Sequence, residues 1–210
     1  MGHRAARGEG PRFWGVEGLL IRLRLRGVLP DTDPAASEPI VVAGHARRRG
    51  DRLVLTPEGR VAADALARYP AGSEAEGRCR RAYEGFLPLN AELLRLGHDW
   101  QVRGGGVPND HSDRAYDWGV IDRLARLHER AGPVIGGLGR HLDRFAGYRP
   151  ALRDALGRLQ AGEHDWFTSP RVDSYHTVWM LLHEDLLLAL GIERATEGTG
   201  AEGIAVEGTS

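Results

Sequence analysis

The sequence predicts a mainly α protein, a small α/β-hairpin N-terminal part followed by an antiparallel helical bundle. Three observations predict it. The stretch Asp173–Gly191 is apolar on nearly every side at helical spacing, as in a helix at the middle of a bundle. Between Ser73 and Ala161 the apolar residues recur mostly at three and four. Around residues 40–56 two short β-prone runs flank a basic segment. Residues 1–72 are therefore assigned to a first domain, 73–195 to the bundle and 196–210 to a disordered tail.

Composition bounds the function. A hydrophobic fraction of 41% with 27% charged residues is ordinary for a globular chain. The net charge of −1 supplies no global field for nucleic acid. A single cysteine, Cys79, excludes an internal disulfide framework. The basic N-terminus has no apolar core of a secretory signal, and no run approaches the roughly eighteen apolar residues of a membrane span. The expectation is a soluble cytoplasmic protein without a membrane partner.

Residues 1–11 are Gly- and Arg-rich and read as loose. Leu19, Leu20 and Leu23 suit a helix over Val16–Val28, which Gly27 and Pro30 end, although the IRLRLR alternation also suits a strand. After a turn-rich loop, IVVAG (40–44) and DRLVLT (51–56) read as strands of a hairpin with HARRRG as its exposed tip. Thr56 is placed to cap the next helix, with Pro57 in its first position.

The stretch DRLVLTPEGRVAADAL resembles the last wing strand and following helix of MarR-like winged-helix transcription factors. The resemblance covers residues 13–70 and makes this part winged-helix-like. It implies a ligand-responsive regulator, a homodimer, and contact with duplex DNA through Arg47, Arg48 and Arg49 at the wing. One departure stands out. A winged helix places two helices between the first helix and the hairpin, the second being the DNA reader, and only the loop Pro30–Pro39 is available here.

Ser73 and Glu76 form a capping box for a helix reaching about Val102, which Pro88 is expected to kink or divide. RGGGVPNDHSDR reads as a loop. Helices follow over Tyr116–Arg130, Pro133–Phe145 and Pro150–Ala161. The last helix starts from Asp173 or Ser174 and stops at Gly191.

Polar and aromatic residues concentrate at His98–Trp100, Asn109–Asp117, His164–Trp166 and Ser174–Asp185. Three readings compete. A small-molecule pocket in the bundle would be lined by His98, Trp100, Asn109, Tyr116, Tyr175 and Trp179. An enzyme would use His176, His183 and Glu184, or His111 with Asp110 and Asp113, as acid–base groups, because a carboxylate orients an imidazole that titrates near neutrality. In the third, the acids only cap helices and the histidines only complete the core. No HExxH, Glu-x-x-His pair, GxSxG or phosphate loop is present. A metal held by helical histidines and an acid of the Asn109–Asp117 loop is conceivable on this pattern, and no cofactor is named.

Overall fold

The computed structural model describes residues 16–194, so the loose start expected at 1–11 and the tail expected at 196–210 lie outside the described residues. Among the described residues eight α-helices, a three-stranded antiparallel sheet and a two-stranded hairpin make the fold mainly α. The chain divides into two units at Ala63 and Asp64.

The first unit contains α1 (Val16–Arg26), β1 (Val28–Pro30), α2 (Pro34–Val42), β2 (Ala46–Arg49), β3 (Arg52–Leu55) and the start of α3 (Pro57–Ala67). The sheet order is β1-β3-β2, all antiparallel. Pro30, which has no N–H to give, lies on the edge strand β1. Leu20, Leu23, Leu29, Ile40, Ala46, Leu53 and Ala63 form one buried core. Thr56 caps α3 as expected, its Oγ1 accepting from Gly59 N at 3.0 Å. Gly59 has a packing reason, because a Cβ there would sit 1.8 Å from the His45 carbonyl oxygen.

Two expectations fail in this unit. IVVAG is not a strand: Asp33 caps α2 with Pro34 at its first position, and Ile40 and Val42 belong to the resulting helix. The strand is ARRR itself, joined to β3 through Gly50 and Asp51, so the arginines line β2 rather than the tip. Alternation along β2 separates Arg48 from Arg47 and Arg49. Arg48 donates to Asp31 Oδ2 at 2.8 Å, Glu38 Oε2 at 2.7 Å, Ser37 Oγ at 2.9 Å and the Pro34 carbonyl at 2.8 Å.

The second unit contains α4 (Glu74–Gln101), β4 (Val102–Arg103), β5 (Val107–Pro108), α5 (Arg114–His141), a 3-10 turn (Asp143–Phe145), α6 (Tyr148–Gln160), α7 (Asp165–Thr168) and α8 (Tyr175–Leu190). Helix α4 packs on α5 and α8, and α6 packs on α5, α7 and α8. Ser73 caps α4 through Glu76 N at 3.1 Å, and Ser174 caps α8 through Thr177 N at 3.3 Å. Gly191 ends α8 at φ 63°. Neither proline divides its helix. Pro88 lies inside α4, and Pro133 joins the two expected helices into the single α5. Both rings face solvent, where the carbonyl each leaves unpaired can turn to water.

Helix α8 carries a carboxylate at the centre of this unit. Asp185 is fully buried. The Arg144 guanidinium grips its Oδ1 and also donates to the Ala67 carbonyl, while Tyr148 Oη donates to Oδ2 at 2.9 Å. Burial raises the Asp185 carboxyl above the ordinary range, and Arg144 and Tyr148 oppose that shift. Removing one partner of such a pair leaves the other charge buried and unpaired. Arg144→Met is expected to lower unfolding free energy by about 3–5 kcal/mol in urea titration. A loss below about 1 kcal/mol would mean that the pair does not hold the bundle.

Candidate functional site

A polar cluster forms where the end of α4, the segment leading to α5, and the start of α7 meet. The β4–β5 hairpin turns through Gly105 (φ 82°) and Gly106 (φ 79°), a left-handed pair that suits glycine. Asn109 follows, its N–H bonded to the Gln101 carbonyl at 2.8 Å. His111 has φ 60° and is the one described non-glycine residue at positive φ. Asp113 then caps α5, accepting from Tyr116 N at 3.1 Å. One turn further, Asp117 lies on the same face of α5 as Val120, Ile121 and Leu124 and is 3% exposed.

Asn109 Nδ2 donates to Asp117 Oδ1 at 2.8 Å and to the Trp100 carbonyl at 3.0 Å. An amide has two protons, and both are used there. His111 Nδ1 stands 3.1 Å from each carboxylate oxygen of Asp117 and 3.2 Å from Asn109 Nδ2, so the imidazole is aimed at the carboxylate. The His164 ring is 5.2 Å from that of His111. Trp100 packs against both, with centroids 4.5 Å from His111 and 5.4 Å from His164. Single ligand atoms of His111, Asp117 and His164 lie within 4.8 Å of one another. His111 is half-buried and His164 exposed, so the cluster has a buried carboxylate floor and an imidazole mouth open to water.

The other predicted site residues have different surroundings. Asp113 caps α5 and pairs with Arg103 at 2.6 Å, and the Tyr116 N–H it accepts is the main reason its carboxyl lies below the ordinary range. Asp110 is held in the same direction by the Ser112 hydroxyl. Tyr116 Oη donates to the Asp99 carbonyl at 2.8 Å. His98 is exposed on a surface groove with Leu94, Asp99 and Arg123. Glu184 pairs with Arg194 at 3.0 Å. His183 is packed between Phe86 and Tyr83.

Tyr175 and Trp179 are fully buried, and Trp179 stacks on Phe86 at 4.7 Å while its Nε1 donates to Asn90 Oδ1 at 3.0 Å. Tyr175 Oη meets His128 Nδ1 at 3.2 Å. These rings fill the bundle rather than line an opening. The structure thus joins Trp100, Asn109 and His111 of the predicted set, and adds Asp117 and His164 as their partners. Asp117 had a sequence signal, a carboxylate in register with Val120, Ile121 and Leu124 on an apolar helical face. His164 had none at fixed spacing, being more than fifty positions from His111.

No family model, curated protein or solved structure matches the chain.

Burial lowers the imidazole of His176, and burial with the nearby Arg149 charge lowers that of His128, both below the ordinary 6.5. The unfolded chain therefore binds protons at these two positions more readily than the folded one. Their contribution to stability is present above about pH 6.5 and is lost as pH falls through the folded values. The urea midpoint is expected to decline from pH 7.5 to 5.5, and to decline less in the double variant His128→Gln/His176→Gln. An equal decline in both proteins would assign the pH dependence to other groups.

Proposed function

We propose that this chain is a ligand-responsive, regulator-like protein whose ligand docks on the Asp117–His111–His164 cluster. One observation carries the reading. Two carboxylates lie deep in the second unit, and they are treated differently. Asp185 has a guanidinium and a phenol. Among the described residues the side chain of Asp117 meets an amide and an imidazole and no guanidinium. A buried carboxylate met by an amide and an imidazole rather than by a guanidinium favours a ligand that brings positive charge or hydrogen-bond donors. The imidazoles and Trp100 give that ligand a half-open mouth.

The first unit supports a regulator-like scaffold more than a sequence reader. Its first helix, hairpin and following helix come in the order the MarR-like resemblance implies, with one helix before the hairpin in place of two and the short strand β1 in addition. Helix α2 occupies the place before the hairpin, and PAASEPIVV holds no Arg, Asn or Gln to address base edges. Arg48 is engaged within its unit, so Arg47 and Arg49 are the wing side chains left to touch phosphates. Duplex DNA is expected to bind weakly, without sequence preference, and to be released by moderate salt in fluorescence anisotropy. Selective binding that survives 0.2 M salt would reverse this assignment of the first unit.

A second reading, a small enzyme, rests on the imidazole of His111, which the Asp117 carboxylate orients. A thermal-shift screen of small amines and cationic metabolites against the wild type and Asp117→Asn addresses both. Hits that stabilise the wild type and lose their effect in the variant are expected. Recovery of the hit unchanged supports the sensor, and conversion that His111→Gln abolishes supports the enzyme. Stabilisation undiminished in Asp117→Asn would remove the cluster from the ligand's site.

A further inference from the structure

We infer that His111, Asp117 and His164 bind a divalent transition-metal ion, the ion type favoured by paired imidazoles with one carboxylate. The inference rests on the ligand site proposed above and names the ligand's chemistry. Four features of the cluster converge on it.

The first is donor spacing. Metal–nitrogen and metal–oxygen bonds of about 2.1 Å place neighbouring donors roughly 3.0–3.4 Å apart in octahedral or tetrahedral sites. His111 Nδ1 and Asp117 Oδ2 already stand 3.1 Å apart. The three-donor set spans no more than 4.8 Å, with His164 on the exposed side of the cluster.

The second is division of labour on the carboxylate. Asn109 Nδ2 donates to Oδ1 at 2.8 Å, so Oδ2, which like Oδ1 stands 3.1 Å from His111 Nδ1, is the oxygen that carries no amide donor and is left for the ion. Hydrogen bonds that orient a ligand in this way belong to the working part of a metal site. The third is restraint of the rings, since Trp100 flanks both imidazoles. The fourth is charge. A divalent ion neutralises a carboxylate that no guanidinium reaches among the described residues, and the Asn109 contact to Oδ1 is kept.

Three protein ligands leave further coordination positions at the exposed mouth beside His164. Those positions are where a second, small ligand would meet the ion. Oxygen-only cations such as Mg²⁺ and Ca²⁺ are disfavoured by the two imidazoles.

The test is equilibrium dialysis of the chelator-treated, untagged full chain against Co²⁺ and Zn²⁺, with the visible spectrum of the Co²⁺ form. One ion per chain is expected. His164→Ala, an exposed position that leaves the core intact, is expected to weaken binding more than about 100-fold. Asn109→Ala is expected to fall within the roughly 10–100-fold range of a residue that only orients a ligand. His98→Ala, outside the cluster, is expected to bind as the wild type does.

Absence of stoichiometric binding overturns the inference, as does unchanged affinity in His164→Ala. If small cationic molecules still lose their stabilising effect in Asp117→Asn while no metal binds, the metal alone is excluded and the ligand site stands. If both measurements are negative, the site itself falls.

Discussion

The second unit depends on burial of a charged group within an apolar helix. Helix α8 is hydrophobic around most of its circumference, and hydrophobicity alone would leave its rotation about its own axis poorly defined. Asp185 defines it. Its carboxylate has to reach Arg144 from the turn after α5, and Tyr148 at the start of α6. Arg144 in turn closes on the Ala67 carbonyl at the end of α3. One pair thus ties four segments together, and its cost in desolvation is offset only while every partner is present. With α8 held in that rotation, Trp179 and His183 face α4, where Phe86 and Asn90 receive them.

Asp117 poses the same physical problem with a different outcome. It too lies on the apolar face of its helix, but its neighbours are Asn109 and His111, delivered by a short hairpin and a residue in left-handed backbone conformation. A positive φ at a non-glycine position is a local cost that the surrounding contacts must sustain. Here it turns the His111 ring onto Asp117 and beneath Trp100. Trp100 ends α4, and His164 arrives on the far side from the turn before α7. Interior aromatic packing and the open polar cluster are therefore separate features of this unit. The polar-aromatic clustering seen along the chain divides between them.

Where expectation and structure part, the reasons are specific. Pro88 reads as a kink or division and Pro133 as a helix start, yet each lies within a continuous helix, where the long contacts of α4 with α5 and α8 outweigh one lost hydrogen bond. IVVAG is β-prone by composition, but Asp33 and Pro34 start a helix that carries Ile40 into the core. Arg48 read as a cation at the wing tip, and it is exposed but engaged. The pleat of β2 sends it to Asp31 and Glu38 instead, while its neighbours take the opposite face. Asp113 read as an acid–base group, and in the structure it caps α5 and pairs with Arg103.

The sequence by itself determined the helical class, the caps at Ser73 and Thr56, a cap at Asp173 or Ser174, the stop at Gly191, and the apolar faces that become the core. Those properties are local: a cap or an apolar stripe depends on residues within one or two turns. Only the tertiary structure decided which polar groups meet. His164 joins His111 and Asp117 because α6 returns the chain along α5, and Arg144 finds Asp185 across forty-one positions. Pairings of that kind depend on where whole helices come to rest, a property that no window of sequence contains.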